Sequence, residues 1–194
     1  MKKIMAYIVS LTIIDQGIKL IISNILGHKQ IDLFSDFLHI HPILNNVSIF
    51  MDKGINILFS PAIAIIIPAI CIAIVILFYR YLLYISEKWH KLSTLFLCFF
   101  MAGILCSIID QIFWSGSLDY ICMYWYSSDL QGIYVTHFYF DLKDIYLNVG
   151  GILLIVRGII YVYEYYKLNK EERKQEKQDT KLLNWIKKGC PLKR

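Results

Sequence analysis

Charge is scarce in this sequence. Asp, Glu, Lys and Arg make up 18% of its 194 residues, where a soluble domain carries about 25%, so a water-soluble globular domain is excluded as the first reading. Disorder is excluded as well, because a disordered chain is poor in apolar residues and rich in charge. No glycine period is present, which removes a collagen-like chain. The five cysteines (Cys71, Cys98, Cys106, Cys122, Cys190) form no C-x-x-C pair, have no histidine at zinc-finger spacing and are odd in number, so neither a disulfide framework nor a structural zinc site is expected. Most of them sit in apolar runs, where cysteine behaves as a small hydrophobe. There is no internal repeat and no long Gly/Ser linker. Ser48, Ser107 and Ser117 lack any G-x-S-x-G context, which argues against a serine nucleophile.

What remains is apolar: 57% of residues are hydrophobic and the mean hydropathy is +0.53. Four stretches, at about 4–26, 60–84, 93–114 and 145–166, are long enough to cross a hydrocarbon core of about 30 Å at 1.5 Å rise per residue. The expected fold is therefore an all-α integral membrane protein with four transmembrane helices over residues 1–166, followed by a tail at 167–194. The chain opens Met1-Lys2-Lys3 and turns apolar, like a secretory signal, yet Asp15 and Lys19 interrupt the run and no small-x-small site follows. An uncleaved first helix is expected.

The net charge of +5 belongs to the tail, where ten Lys/Arg face four Asp/Glu between Lys167 and Arg194, leaving −1 for residues 1–166. A basic run after an apolar body marks the cytoplasmic side and attracts anionic lipid headgroups; nucleic acid is not an expected partner. Lys2, Lys3, Arg80, Lys88, Lys91, Arg157 and the tail fall on one side of a four-span topology, against Lys29, Lys53 and Lys143 on the other. Both termini are thus expected in the cytoplasm of a bacterial cell-membrane protein, with residues 27–59 and 115–144 facing outward. Leu182, Leu183, Trp185 and Ile186 suit a short amphipathic helix on the inner surface.

The first outward segment mixes Asp32, Phe34, Asp36, Phe37, His39 and His41 with apolar residues in near alternation, which predicts short strands at the interface between the first two helices. The second holds Trp114, Tyr120, Tyr124, Trp125, Tyr126, Tyr134 and Tyr139, the composition of an aromatic belt at headgroup level. It reads as an aromatic loop, and residues 120–139 are expected to be mobile and to close over a substrate, because lids exclude water.

Ionisable residues inside spans are costly, so each needs a partner or a function. Asp15 and Lys19 stand at i and i+4 with the acid first, a spacing that pairs them on one helix face. The third span runs outward and reaches Asp110 near its end, while the fourth begins near Asp144, so both carboxylates lie at one boundary. Two carboxyl groups that share a site split their titration into a lowered and a raised step, which supplies a base beside an acid at neutral pH. Such a pair can activate water and protonate a leaving amine. The other reading has Asp144 as the N-cap of the fourth helix and Asp110 solvated at a helix end; spacing alone leaves both open. Asp119 and Asp141 add carboxylates on the same side. His39, His41 and His137 show no metal-ligand spacing to that set, and no metal is expected.

These motifs, in this order, resemble the lipoprotein signal peptidases (signal peptidase II). Asp15-Gln16-Gly17-Ile18-Lys19 is similar to that family's Asp-x-x-x-Lys. Cys106-Ser107-Ile108-Ile109-Asp110-Gln111 resembles Gly-Asn-x-x-Asp-Arg, followed nine positions on by an aspartate, here Asp119 before Tyr120. Phe140-Asp141-Leu142-Lys143-Asp144 resembles Phe-Asn-x-Ala-Asp, and Asn45-Asn46-Val47-Ser48-Ile49-Phe50 faintly resembles Asn-x-Gly-x-x-Phe. The resemblance implies an intramembrane aspartyl endopeptidase that removes the signal peptide of bacterial prolipoproteins on the N-terminal side of the diacylglyceryl-modified cysteine. It implies no cofactor, since aspartates and water supply the chemistry, with prolipoproteins and membrane lipids as partners and a monomer as the working unit. Carried over by motif, Asp110 and Asp144 are the catalytic dyad. Asp15 and Lys19 organise the site, Asn45 lies near the substrate, and Asp119, Phe140 and Asp141 belong to the same surroundings.

The chain departs from the family pattern at Ser107 and Asp141, where the family has Asn, at Gln111 for Arg and at Lys143 for Ala. Loss of the arginine removes a fixed cation and its bidentate fork, while Asp141 adds a carboxylate that raises the titration of its neighbours unless Lys143 offsets it. Two other functions follow from these features. One is an impaired relative that binds lipidated peptides without cutting them; the other is a small proton-coupled carrier using Asp15, Lys19 and the outer carboxylates as a relay.

Overall fold

The architecture is that of a computed structural model describing residues 2–27, 29–34, 37–45, 61–129, 132–168, 170–179 and 182–190. The motif residues 46–50, Ser48 among them, lie outside the described residues, as do the side chains of Trp125, Tyr126 and Tyr134.

Four helices are long and apolar enough to cross a membrane: α1 (Lys2–Ile25), α2 (Pro61–Ile85), α3 (His90–Phe113) and α4 (Leu142–Lys167). The helix in the middle is α3, which packs against each of the other three. One apolar cluster joins α2 to α3 through Val75, Leu82, Phe96, Leu97 and Ile104. A second joins α1, α3 and α4 through Ile8, Cys98, Ala102 and Tyr146. Glycines bring α3 and α4 close: a methyl group at Gly103 would meet Leu147 at 2.7 Å and the Lys143 carbonyl at 3.2 Å, and one at Gly150 would run into Phe100. The opposite faces leave Ile13, Ile155 and Ile159 more than 60% exposed, an inversion of soluble-protein burial that suits lipid as the solvent. The chain is a multi-pass membrane protein.

The expected strands between the first two helices are β1 (Ile31–Phe34) and β2 (Leu38–Asn45). The segment expected as a mobile aromatic loop is instead regular: β3 (Ser117–Asp129) and β4 (Gly132–Phe140) form an antiparallel hairpin. It completes one sheet of order β1-β2-β3-β4. The reason lies in its residues, since Tyr, Trp, Ile, Val, Thr and Phe favour a pleated half-buried surface as much as a headgroup layer. β2 supplies the partner edge, pairing from Leu38↔Met123 to Asn45↔Ser117, with a register shift between Ile40 and Ile43. Pro42 lies in that shift, where its missing N–H costs the ladder least.

Beyond α4, the tail forms α5 (Lys170–Asp179) and α6 (Leu182–Lys187). Trp185 of α6 is buried against Tyr81 and Tyr84 of α2, and the Cys190 carbonyl accepts a hydrogen bond from Arg80. The short helix thus packs on α2 as well as presenting Leu182 and Ile186 outward.

Candidate active site

The sheet meets the helices at one end of the bundle, and there two buried lysines gather aspartates from four elements. Lys19, one helical turn after Asp15, has no exposed surface. Its Nζ lies 3.1 Å from Asp15 Oδ2, 2.6 Å from Asp110 Oδ2 and 2.6 Å from Asp141 Oδ2. The expected Asp15–Lys19 pair is therefore present, with α3 and the start of α4 added to it. Gln16, which the motif reading passed over, donates to Asp110 Oδ1 at 2.8 Å and to Asp15 Oδ2 at 3.0 Å. Both oxygens of Asp110 are thus taken, and the residue is 2% exposed. Asp110 is not solvated at a helix end; a buried ammonium and an amide hold it.

The N-cap of α4 is Asp141, not Asp144. Asp141 Oδ1 accepts from the Asp144 backbone N–H at 3.1 Å, and Asp144 Oδ2 accepts from the Asp141 backbone N–H at 3.2 Å, the reciprocal arrangement of a capping box. The other oxygen of Asp141 accepts from Lys143 at 2.6 Å. Burial pushes the Asp141 carboxyl up, but the ammonium groups of Lys143 and Lys19 more than offset this and hold it below the ordinary aspartate range.

Asp119 arrives from β3, which turns back over the bundle after the bend at 114–116, where Ser115 has φ +53°. Asn45 of β2 donates to Asp119 Oδ2 at 3.0 Å, and Ser117 donates to Asp119 Oδ1. Lys143 Nζ donates to Ser117 and lies 3.5 Å from Asp119 Oδ1 and 3.4 Å from Asp110 Oδ2.

Carboxylate oxygens of Asp119, Asp141 and Asp144 all lie within 4.8 Å of one another. Three acids at that spacing attract a cation, and the Lys143 ammonium provides one from the chain itself. Among the described residues no hydrogen bond joins Asp110 to Asp144, the pair expected from sequence. Asp119 stands beside Asp144 instead, and Asp110 is tied to the group through the lysines. The signal that could have found this was the nine-residue spacing from Asp110 to Asp119, just enough chain to leave a helix, bend and return as a strand. Phe140 pairs with Ile121 across the sheet and is half-buried. The histidines lie elsewhere: His39 pairs with Asp32 at 2.6 Å and His41 with the Tyr139 hydroxyl at 3.2 Å. Hydrogen bonds from Gln30 and His39 hold the Asp32 carboxyl below its ordinary value.

Apolar grooves lead along the helices toward this end. One of about 510 Å³ lies between α1 and α3 and is lined by Ile13, Gln16, Leu20, Ile109, Phe113 and Trp114. Another, of about 390 Å³, lies between α2, α3 and α4 and reaches Ser107 and Leu147.

The sequence pattern of a family described as signal peptidase (SPase) II matches residues 7–160. Two solved structures share the fold. One, a bacterial membrane enzyme structure by the in meso method at 2.3 Å resolution, has a TM-score of 0.61 at 19% identity, over 88% of this chain and 94% of that one. The other, a bacterial membrane enzyme structure by the same method at 1.9 Å resolution, has a TM-score of 0.59 at 21% identity, over 80% of this chain and 92% of that one. No curated protein matches the sequence.

Proposed function

The chain belongs to the signal peptidase II family, and we propose that it is an aspartyl endopeptidase. It removes the signal peptide of bacterial prolipoproteins on the N-terminal side of the diacylglyceryl-modified cysteine, at the outer face of the cell membrane, with both termini in the cytoplasm. The observation that carries the aspartyl chemistry is the close approach of the Asp119 and Asp144 carboxylates at the sheet end of the bundle.

The geometry favours Asp119 and Asp144 as the dyad, in place of Asp110 and Asp144. Asp110 is held by Lys19 and Gln16 of α1, whereas a carboxylate oxygen of Asp119 lies within 4.8 Å of one of Asp144. Asp119 and Asp144 face each other across the junction of β3 and α4, where an extended peptide can lie along the sheet. In such a pair one carboxylate accepts a proton from water as the oxygen attacks the scissile carbonyl. Its partner, protonated, donates its proton to the carbonyl oxygen; as the C–N bond breaks, the first passes the proton taken from water to the leaving amine while a hydroxyl of the intermediate returns one to the second, so the pair ends in its starting charge. Asn45 and Ser117 hold the Asp119 carboxylate in one orientation. The acyl chains of the substrate stay in lipid, and the grooves beside α3 give an apolar approach from the bilayer.

The test is cleavage of a diacylglyceryl-modified prolipoprotein by the purified chain in detergent, beside Asp119→Asn, Asp144→Asn and Asp110→Asn. Cleavage before the lipidated cysteine, lost in Asp119→Asn and Asp144→Asn while both unfold as wild type does, is the expected result. Cleavage retained by Asp119→Asn, with a folded but inert Asp110→Asn, would return the dyad to Asp110 and Asp144. A folded wild type that binds the lipopeptide without cutting it would favour the impaired relative.

A further inference from the structure

Lys143 links the start of α4 to both β3 and α3. It projects from the first turn of α4, is 8% exposed, and its ammonium touches Asp141 at the same helix start, Asp119 and Ser117 on β3, and Asp110 on α3. An ammonium buried so far stays in place only if carboxylates compensate it. Asp141, at 2.6 Å, is its nearest acid and has no exposed surface of its own. These are also two of the positions at which the chain departs from the Phe-Asn-x-Ala-Asp pattern, one change adding a negative charge and the other a positive one.

We propose that Lys143 is a positioning residue of the peptidase site: balanced by Asp141, its ammonium fixes the Asp119 carboxylate opposite Asp144. The inference rests on the reading of Asp119 and Asp144 as the dyad. It makes Asp141 and Lys143 one functional unit, in which either charge without the other is worse than neither.

The charged groups facing Lys143 make the consequence for pH specific. On its own helix stand Asp141 and Asp144; β3 contributes Asp119 and α3 contributes Asp110. From α1, Lys19 reaches the same oxygens of Asp110 and Asp141, with Asp15 behind it. Four carboxylates therefore surround an ammonium whose nearest fellow cation, Lys19, is already shared among three acids. Removing the Lys143 charge leaves Asp141 and Asp119 with less compensation, which makes the ionised dyad harder to form. Removing the Asp141 charge as well takes away the excess.

The experiment measures kcat/KM against pH for wild type, Lys143→Met, Asp141→Asn and the double variant, with thermal unfolding of all four in detergent. Methionine keeps the length of the lysine stem, and asparagine keeps the N-cap of α4. Lys143→Met should lower kcat/KM at least tenfold and move the acid limb of the profile to higher pH. The double variant should recover most of the rate and return the limb toward wild type, a reversal that a merely structural role would not produce. An unshifted profile in Lys143→Met, or a double variant no better than the single, overturns the proposal. Should Lys143→Met fail to fold, recovery of folding in the double variant supports the pairing and its absence overturns it. If wild type itself does not cleave, the peptidase reading fails separately, and the unfolding cycle still decides: losses that simply add in the double variant overturn the coupling of Lys143 to Asp141.

Discussion

Lys19 and Lys143 are two buried ammonium groups that share Asp110 and Asp141, yet their surroundings differ. Lys19 is sealed: it sits inside the helices, contacts Asp15, Asp110 and Asp141, and Gln16 closes the remaining oxygen of Asp110. Lys143 stands at a seam, where α4 begins and β3 passes over it, with the half-buried Asp144 one residue away. A sealed charge network within a membrane stabilises packing, because none of its members can turn to water. A network at a seam can set the charge of groups that still reach a substrate. The same residue types thus take different roles according to which elements they join.

The largest contrast comes from the proposed dyad. Asp119→Asn and Asp144→Asn should each lower cleavage by roughly 10³-fold, the scale of a lost general acid or base, with little change in unfolding temperature. Lys19→Ala should do the reverse in kind: it leaves buried carboxylates without their cation, at a cost of about 3–5 kcal/mol, read as thermal unfolding in detergent. A Lys19→Ala protein as stable as wild type would end the distinction between sealed and seam networks.

Gln16→Ala sharpens it further. The change leaves Asp110 Oδ1 without its donor, at a cost of about 1–3 kcal/mol, whereas Ser117→Ala at the seam should act more on kcat than on stability. Steady-state kinetics and unfolding of the pair decide this. The smallest effect concerns acid. Asp141 titrates below the ordinary aspartate value of about 3.9. Its contribution to stability is therefore present in full above that value and is lost as the pH falls through the native one. Wild type should lose stability in that range, and Asp141→Asn should lose less, as equilibrium unfolding at successive pH values would show.

Much of the fold was legible in the residues. The four spans could be read because apolar length is a one-dimensional property that lipid imposes directly. The Asp15–Lys19 pair could be read because helical spacing puts i and i+4 on one face. The aromatic segment was misjudged, since its composition serves a strand and a headgroup belt equally, and only pairing of β3 with β2, some 80 residues earlier, selects the strand. The closeness of Asp119 to Asp144 was not legible for a related reason. Asp110 and Asp119 both fall near the same boundary along the chain. Depth alone cannot tell which of them faces Asp144 once the chain bends at 114–116.

The order of apolar and polar stretches by itself determined that this protein crosses a membrane four times, because water and hydrocarbon sort residues without reference to their neighbours. Tertiary structure decided which acids face one another, which two lysines balance them and which aspartate caps α4. Those outcomes depend on distances of a few ångströms between elements far apart in the chain, where Coulomb and hydrogen-bond energies change steeply and sequence spacing carries no measure of separation.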